Sequence, residues 1–262
     1  MSDGSETDMN ILFHGICGRI GRETLRITEE GFRDAHIVCG VDINAAENVG
    51  KIPCYTSFDR IDRPFDIDCI IDFSHHTAIA PLLKYAVANR LPVVVATTGH
   101  TDEELALIEE ASREIAIFRS GNFSLGINLL ITLAKQAAKT LGMDFDVEIV
   151  EKHHNKKVDA PSGTAIMIAD AIASERAESE YVYDRHSVRK AREPKEIGIH
   201  SVRGGTIVGE HEAIFAGENE IVTISHSAAS REIFATGAIR AAVYLSKKDV
   251  GLFNMTDMIE GK

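Results

Sequence analysis

The chain has 262 residues, 44% of them hydrophobic, which is enough for the core of one large domain or two modest ones and too much for a disordered chain. It carries 40 acidic residues against 28 lysines and arginines, a formal net charge of −12. Such an acidic surface repels phosphate backbones, so we expect no nucleic-acid partner, and anionic ligands must depend on local basic clusters.

The N-terminus and the cysteines indicate where the protein works. Residues 1–10 are polar and lack the basic and apolar segments of a signal peptide, and no apolar run is long enough to span a bilayer. We expect residues 1–9 to be disordered. The four cysteines, Cys17, Cys39, Cys54 and Cys69, form no C-x-x-C pair, so we expect reduced, mostly buried thiols in a cytoplasmic protein without membrane contact.

In the first half of the chain, apolar runs alternate with helical patterns. The predicted strands are residues 10–14, 35–41, 67–73, 91–96 and 115–118. The predicted helices cover residues 18–30 and 77–90, and a third helix follows the capping box Thr101-Asp-Glu-Glu104. Strands that alternate with helices in this way predict a parallel, doubly wound sheet.

The second half has a different pattern. It predicts helices over residues 125–141, 162–173 and 231–247 and a strand over residues 147–151. Residues 196–227 are rich in strand signals, and a Gly-Glu-Asn turn joins strands 212–215 and 221–225 as a hairpin. Consecutive strands after an alternating half predict a second domain with an open sheet, so the expected fold class is α/β with a second α+β domain.

A glycine-rich loop follows the first predicted strand. Gly15-Ile-Cys-Gly18-Arg-Ile-Gly21 stands at the start of a helix, where glycines let the backbone approach a pyrophosphate and the helix offers free N–H groups. The spacing departs from the common G-x-G-x-x-G pattern, so a turn that binds no ligand is the alternative. Asp42 ends the next strand about 20 residues beyond the loop, where an acidic side chain grips a ribose hydroxyl, and these features together favour dinucleotide binding.

The segment from Glu151 to Thr164, E-K-H-H-N-K-K-V-D-A-P-S-G-T, is dense in titratable groups and follows a predicted strand. His153 and His154 alternate faces in an extended chain, so only one of them can readily point into a given cleft. Two lysines add positive charge beside them, and the Pro-Ser-Gly-Thr stretch opens a helix whose N–H and hydroxyl groups can hold a carboxylate. Together these groups indicate a site for a dianionic acid that also needs a proton donor.

Three other interpretations of this segment stay open from the residues alone. Adjacent histidines are common metal ligands, although no third ligand stands nearby at zinc-like spacing. A basic cluster is often only a solvated loop. Ser162 with a histidine and an aspartate suggests hydrolysis, although the G-x-S-x-G elbow of hydrolases is absent.

The same segment resembles the signature of the 4-hydroxy-tetrahydrodipicolinate reductase (dihydrodipicolinate reductase) family, whose core is E-x-H-H-x-x-K-x-D-x-P-S-G-T-A. Other segments similar to the family follow in the same order: Gly15 to Gly21, Ala96-Thr-Thr-Gly99, Asn122-Phe-Ser-Leu-Gly126, Arg203-Gly-Gly205, Gly209-Glu-His211 and Gly251-Leu-Phe-Asn-Met255. The resemblance covers almost the whole chain after residue 9.

This resemblance implies hydride transfer from NADH or NADPH to 4-hydroxy-tetrahydrodipicolinate, a small dicarboxylate, with loss of water, in lysine and diaminopimelate biosynthesis. It implies no metal. The implied domains are a Rossmann-type dinucleotide-binding domain, residues 1–124 with 231–262, and a substrate-binding and oligomerisation domain with an open mixed sheet, residues 125–230. The family is typically tetrameric through that sheet, so a homotetramer is expected.

Position by position, the resemblance also implies residue roles. His153 is the proton donor and Lys157 is the second catalytic group. The substrate carboxylates are bound by His154, Ser162, Gly163 and Thr164. The cofactor is lined by Gly15, Cys17, Gly18, Arg19, Ile20, Gly21, Asp42, Phe73, Ala96, Thr97, Thr98, Ser120, Asn122 and Phe123.

Some positions depart from the family pattern. Ala96 stands where a glycine is usual, which we expect to tighten the turn, and Asn254 stands where an aspartate is common. No cation follows Asp42 directly, where some members have one. We therefore expect NADH to be used at least as well as NADPH, with Arg19 and Lys51 as the cations left to face a 2′-phosphate.

Two other functions share part of this pattern. Another Rossmann-type reductase of the aspartate pathway would keep the glycine loop and Asp42, but it would not need Lys157 or the Pro-Ser-Gly-Thr stretch. A non-catalytic NAD(P)-sensing protein would also keep the cofactor loop. An activity assay separates all three.

Overall fold

The computed structural model describes residues 8–45, 48–63 and 65–261. Within these ranges the chain forms two compact units: residues up to Phe123 together with those from Glu232 onward form unit 1, and Ser124–Arg231 forms unit 2. Residues 1–7, for which we expected disorder, lie outside the described ranges. The same expectation is wrong for Met9, which begins the first strand and is 1% exposed because its side chain packs into the core of unit 1.

The helices and strands are numbered in chain order. The helices are α1 (Arg19–Glu29), α2 (Ile79–Asn89), α3 (Asp102–Ala111), α4 (Leu125–Leu141), α5 (Gly163–Ala173), α6 (Glu232–Leu245) and α7 (Met255–Glu260). The strands are β1 (Met9–His14), β2 (Ala35–Val41), β3 (Asn48–Val49), β4 (Ile52–Tyr55), β5 (Cys69–Asp72), β6 (Val93–Val95), β7 (Ala116–Arg119), β8 (Asp146–His153), β9 (Glu180–Val182), β10 (Glu196–Arg203), β11 (Gly209–Ala216), β12 (Ile221–Ala228) and β13 (Gly251–Phe253).

Unit 1 contains a sheet in the order β13-β7-β6-β5-β1-β2-β4-β3. Its neighbouring strands are parallel, apart from the antiparallel β3–β4 pair at one edge. Successive residues of β1 point to opposite faces, so Ile11 and Phe13 pack with α1 and α6, while Leu12 packs with α2 and α3. The predicted doubly wound parallel sheet is therefore confirmed.

Unit 2 contains a mixed sheet in the order β12-β11-β8-β10-β9. Strands β8, β10 and β9 are parallel, and β11 runs antiparallel to both β8 and β12, which confirms the predicted hairpin. Helices α4 and α5 cover one face, where Val147, Ile149 and Phe215 are fully buried. The opposite face carries charge, for example where Lys152 Nζ lies 3.2 Å from Glu210 and 2.9 Å from Glu212.

Several short elements were not predicted. Strands β3, β4, β9 and β13 have two to four residues each, which is too short for a periodic pattern to show. Helix α7 was also missed. Asn254 is its N-cap and accepts hydrogen bonds from the N–H groups of Thr256 at 2.8 Å and Asp257 at 3.3 Å, so asparagine performs here the capping role that aspartate also performs.

Candidate active site

Five of the residues predicted to line the cofactor share one position in the fold of unit 1. Gly15, Asp42, Phe73, Ala96 and Ser120 each come directly after the last residue of a strand, β1, β2, β5, β6 and β7 respectively. These strands are mutually parallel, so their carboxyl ends lie along one edge of the sheet. The chain crosses from one side of β1 to the other between β2 and β5, and in open α/β sheets ligands bind at such a switch point.

The glycine loop is packed so closely that side chains are excluded. Gly15 has a φ of +88°, and a Cβ there would lie 2.4 Å from the carbonyl oxygen of Phe73. A Cβ on Gly21 would lie 2.5 Å from the carbonyl oxygen of Ile16. Helix α1 begins directly after Gly18, so its first N–H groups sit at the end of this loop. The loop therefore combines close backbone approach with a helix N-terminus, as pyrophosphate binding requires.

Asp42 joins the glycine loop to the turn after β2. Its Oδ2 accepts a hydrogen bond from the N–H of Cys17 at 3.0 Å, and its Oδ1 accepts one from the N–H of Asn44 at 2.9 Å. Asp42, Gly15, Gly18 and Cys17 line one cavity of about 610 Å³. The carboxylate thus organises the rim of this cavity as well as facing into it.

Two residues on the wall of this cavity bear on cofactor binding. Phe73, one of the predicted cofactor residues, lines the cavity, and so does Arg22, on the first turn of α1. In the part of the chain that the structure describes, the lining includes neither Arg19 nor Lys51, the cations that we considered from the sequence. Arg22 is therefore the cation on the same wall as Asp42.

The remaining predicted cofactor residues lie near the carboxyl edge of the sheet or on α1, outside the lining of this cavity. Thr97 is buried, and its hydroxyl accepts a hydrogen bond from the N–H of Ser74 at 3.0 Å. Ala96 is not among the described non-glycine residues with positive φ, so its backbone conformation is one that alanine adopts without strain. The other residues outside the lining are Arg19, Ile20, Gly21, Thr98, Ser120, Asn122 and Phe123.

A buried polar pair beside this cavity was not predicted. His14, the last residue of β1, has its Nδ1 2.7 Å from Asp72 Oδ1 on the neighbouring strand β5. The Ser74 hydroxyl donates to the same Asp72 oxygen at 2.5 Å. Single polar residues at the ends of apolar strands gave no sign of this pairing, because it depends on which strands are neighbours.

In unit 2, strand β8 ends at His153, the first histidine of the pair. The strand alternates between buried and half-buried residues, so Glu151 and His153 share the face that is covered by helices. His154 follows the end of the strand and has a different neighbour. Its Nε2 lies 3.2 Å from an Arg231 guanidinium nitrogen. We predicted that β8 ends at Glu151, but it continues to His153 because Lys152 still pairs with β10 and β11 and His153 still pairs with β10.

Glu151 is the centre of the hydrogen bonds in this region. It is fully buried, and Arg203 donates to its two carboxylate oxygens at 2.7 Å each. His153 Nδ1 lies 2.6 Å from Oε2, and the N–H of Ser162 lies 3.2 Å from Oε1. Burial alone would raise the pKa of Glu151, but the hydrogen bonds, led by those of Arg203, outweigh it and lower the pKa to about 2.

Lys157 forms an ion pair within the turn after β8. Its Nζ lies 2.8 Å from both oxygens of Asp159, and this ammonium is the main cause that lowers the pKa of Asp159. Arg203 also donates to the backbone carbonyl of Asp159 at 2.8 Å. The turn after β8 is therefore fixed by two cations.

The start of α5 lies against the same cluster. Ser162 is the N-cap of this helix, and its hydroxyl accepts a hydrogen bond from the N–H of Ala165 at 3.1 Å. The same hydroxyl lies 3.1 Å from Nε2 of His211, whose pKa burial lowers to about 4, helped by the charge of His153. Gly163 and Thr164 are the first two residues of the helix, so the predicted substrate residues lie beside a neutral imidazole and a helix N-terminus.

Three residues of this cluster were not predicted as site residues: Glu151, Arg203 and His211. Glu151 could have been found from the two-residue period of a strand, which puts it on the face of His153. Arg203 and His211 lie on other strands and show no local signal. They do belong to the Arg-Gly-Gly and Gly-Glu-His segments that carried the family resemblance.

Neither a metal-binding cluster nor a membrane-spanning helix is found among the described residues. Within the described ranges, no group of three or more histidine, cysteine, aspartate or glutamate side chains is placed to hold a metal ion. No helix in the described part of the chain is long and apolar enough to cross a membrane. The four cysteines are free thiols, and burial is the main cause that raises the pKa of each.

Sequence comparison gives the same family over nearly the whole chain. The family model for the N-terminus of dihydrodipicolinate reductase matches residues 9–123, and the model for its C-terminus matches residues 126–259. The 4-hydroxy-tetrahydrodipicolinate reductase of Caldanaerobacter subterraneus subsp. tengcongensis is 51% identical over 253 residues, which cover 96% of this chain and 98% of that protein. The one from Clostridium tetani is 43% identical over 253 residues, with 96% and 97% covered.

Solved structures share the fold. The dipicolinate-bound dihydrodipicolinate reductase from Paenisporosarcina sp. TG-14 superposes with a TM-score of 0.75 at 24% identity and covers 95% of this chain and 98% of that chain. A scyllo-inositol dehydrogenase from Lactobacillus casei, solved with NAD(H) and scyllo-inositol, has a TM-score of 0.57 at 14% identity, with 97% and 94% covered. The chain belongs to the dihydrodipicolinate reductase family, whose members are oxidoreductases that reduce 4-hydroxy-tetrahydrodipicolinate with NADH or NADPH in lysine and diaminopimelate biosynthesis.

Proposed function

We propose that this chain performs the reaction of its family with His153 as the proton donor and with the cofactor held at the carboxyl edge of the unit 1 sheet. Substrate, NAD(P)H and one proton give tetrahydrodipicolinate, NAD(P)⁺ and water. The observation that carries the proposal is the buried His153, whose Nδ1 lies 2.6 Å from the Glu151 carboxylate beside the N-terminus of α5. An anchored imidazole next to anion-binding groups suits an acid that protonates a dicarboxylate ring.

The proposed cofactor site is supported by the conformation of the glycine loop. A Cβ on Gly15 or Gly21 would clash with neighbouring backbone, so only glycine allows the loop to fold this tightly, and Asp42 lines the same cavity as Gly15. The loop would hold the pyrophosphate, Asp42 the adenosine ribose, and Phe73 would lie near the nicotinamide. When bound, the reduced cofactor supplies the hydride.

The proposed substrate site is formed around the start of α5. His154, Ser162, Gly163 and Thr164 would hold the two carboxylates through ring, hydroxyl and backbone N–H groups. Lys157 is the second catalytic group, and its ammonium stabilises negative charge on the substrate or shares the proton transfer. The Paenisporosarcina relative was solved with dipicolinate, an aromatic dicarboxylate of similar shape, which supports a ligand of this class.

A direct assay tests this proposal. Purified protein is mixed with NADH or NADPH and freshly made 4-hydroxy-tetrahydrodipicolinate, and loss of the reduced nicotinamide absorbance is followed. Turnover with this substrate supports the proposal. Turnover only with a semialdehyde of the aspartate pathway would favour the other reductase, and cofactor binding without any turnover would favour the NAD(P)-sensing protein.

The cavity wall leads to a prediction on cofactor choice. Asp42 can accept hydrogen bonds from ribose hydroxyls, so we expect kcat/KM with NADH to be at least that with NADPH. Arg22 is the cation that faces a 2′-phosphate, so Arg22→Ala should lower kcat/KM for NADPH by about tenfold and leave that for NADH nearly unchanged. Steady-state kinetics with both cofactors measures this. Arg26→Ala is the matched control on the same helix, since Arg26 pairs with Glu23 and Glu30 and does not line the cavity, and it should affect neither.

Two results would contradict this account of cofactor choice. One is a clear preference of the unmodified protein for NADPH. The other is an equal loss of kcat/KM with both cofactors in Arg22→Ala, which would mean that this guanidinium does not distinguish a 2′-phosphate from a 2′-hydroxyl.

The sheet of unit 2 leads to a prediction on assembly. Strand β12 is an edge strand, and Ile221 and Val222 on it are 67% and 36% exposed. Exposed edges and apolar side chains invite pairing with another chain. We propose a homotetramer formed through this sheet. Multi-angle light scattering at micromolar concentration should give four times the mass of the chain, and a monomer would contradict the proposal.

The remaining proposals concern compartment and other partners. We propose a cytoplasmic enzyme that binds neither nucleic acid nor membranes. Four free thiols fit a reducing compartment, and a net charge of −12 disfavours phosphate backbones. Cell fractionation that recovers most of the activity with the membranes would contradict this.

A further inference from the structure

We infer that Glu151, held by Arg203, fixes the ring of His153 so that Nε2 is the nitrogen that gives up the proton. Glu151 is thus a positioning residue that acts through His153. The inference rests on the proposed function, which gives His153 its catalytic role. It adds that the buried carboxylate of Glu151 decides which ring nitrogen of His153 donates the proton.

The hydrogen bonds leave one arrangement of protons. The carboxylate of Glu151 can only accept, and its oxygens receive Arg203 Nη1 and Nη2 at 2.7 Å and the N–H of Ser162 at 3.2 Å. His153 Nδ1 approaches Oε2 at 2.6 Å, so this nitrogen must carry a hydrogen. In the neutral ring Nε2 is then without a proton, and in the charged ring Nε2–H is the proton that can leave.

The electrostatics keep this arrangement across the working range. Glu151 is fully buried, and its pKa of about 2 keeps it a carboxylate at neutral pH. Arg203 binds both carboxylate oxygens, so the carboxylate is held in one orientation with Oε2 facing the ring of His153. Since the cluster is buried, water cannot readily replace either hydrogen bond.

The opposite side of the ring is kept open. A Cβ on Gly209 would lie 3.2 Å from His153 Nε2, so the glycine leaves space at that nitrogen. The ring of His211 packs edge-on at 5.2 Å between centroids, and its pKa of about 4 keeps it neutral beside a charged His153. One side of the imidazole is therefore anchored, and the other side is free to meet a ligand.

NMR of protein labelled with ¹⁵N-histidine reports which ring nitrogen of His153 carries the proton. The His153 signals are assigned from their absence in His153→Gln. Above the pH at which the ring titrates, the unmodified protein should show Nδ1 protonated and Nε2 bare. In Glu151→Gln the amide can donate to Nδ1 or accept from it, so both tautomers should appear, and kcat should fall roughly 10- to 100-fold with KM for NADH unchanged.

Glu148→Gln is the matched control. It makes the same change on the same strand, but Glu148 points to the opposite face and pairs with Arg185 and His200. Its His153 spectrum and kcat should match those of the unmodified protein, although its stability falls. If Glu151→Gln alone does not fold because Arg203 is left unpaired, Glu151→Gln with Arg203→Gln removes both charges and carries the same test.

The outcomes separate this inference from the proposed function. An unmodified protein with Nε2 protonated in the neutral ring, or a Glu151→Gln variant with an unchanged tautomer and kcat, would overturn the inference even if His153→Gln is inactive. Retention of kcat by His153→Gln would overturn the proposed function, and with it the catalytic consequence of the positioning. The tautomer seen in the spectrum would still decide the positioning itself.

Discussion

Replacing His153 by glutamine is expected to lower kcat by roughly 10²-fold or more, because the side chain that supplies the proton is lost. Lys157→Ala should lower kcat to a similar extent if the ammonium takes part in the transfer. Replacing the adjacent His154 by glutamine should chiefly raise KM for the dicarboxylate, as should Thr164→Val, because both remove binding that ground state and transition state share. Steady-state kinetics with 4-hydroxy-tetrahydrodipicolinate measures all four.

The histidine pair is its own control. Both substitutions make the same chemical change at neighbouring positions, but His153 is buried beside Glu151, whereas His154 lies beside Arg231. NADH affinity, measured by titration, should hardly change in any of these variants. Near-normal kcat and KM in all four would mean that the segment is a solvated basic loop, and the proposed roles would have to be abandoned.

The second large effect concerns the glycine loop, where Gly15→Ala should destabilise the protein and weaken cofactor binding. Gly31→Ala is the matched control, since Gly31 has a φ of +83° and no atom near its Cβ position, whereas a Cβ on Gly15 would lie 2.4 Å from the Phe73 carbonyl oxygen. Left-handed backbone alone costs alanine about 1–2 kcal/mol. The contact at Gly15 should add about 1–3 kcal/mol.

Urea unfolding and NADH titration measure the two consequences. If the loop shifts enough to lose about 1.4 kcal/mol of cofactor contacts, the Kd for NADH rises tenfold in Gly15→Ala. Gly31→Ala should leave that Kd unchanged. Equal stability and equal Kd in the two variants would show that the close approach of Gly15 to Phe73 has no role in binding.

The elements that could be predicted are those whose pattern and ends lie close together in sequence. Strand β2 and helix α4 have the bounds that the sequence predicted, residues 35–41 and 125–141. In α4, Ser124 caps the start and Gly142 follows the end, so the local residues determine the helix. The capping box at Thr101 and Glu104 is another local signal, and both of its hydrogen bonds are present.

The contacts that could not be predicted join residues far apart in sequence. Arg203 meets Glu151 across a separation of 52 residues, and their contact depends on β10 lying beside β8 in the sheet. No pattern within one segment encodes that order. The end of β8 was misplaced for a related reason, since its charged residues look like a loop until the partners that pair with them are known.

The residues proposed to bind the cofactor also divide into those with a local sequence signal and those without one. Gly15 and Asp42 could be placed because each stands at the end of a strand that is evident from its apolar run, whereas Phe73 was placed by the family resemblance. Arg22 was missed because a cation on an exposed helix turn has no distinguishing neighbours in the sequence. Its relevance comes from the cavity that it shares with Asp42.

Isotope transfer from the cofactor in one turnover tests the proposed hydride transfer most directly. NADH that carries deuterium at both C4 positions of the nicotinamide is incubated with the protein and 4-hydroxy-tetrahydrodipicolinate in ordinary water, and the product is analysed by mass spectrometry. We expect tetrahydrodipicolinate that contains one deuterium from the cofactor, while the completing proton comes from the solvent through His153. Product without deuterium, or cofactor that stays reduced while substrate is bound, would contradict this expectation.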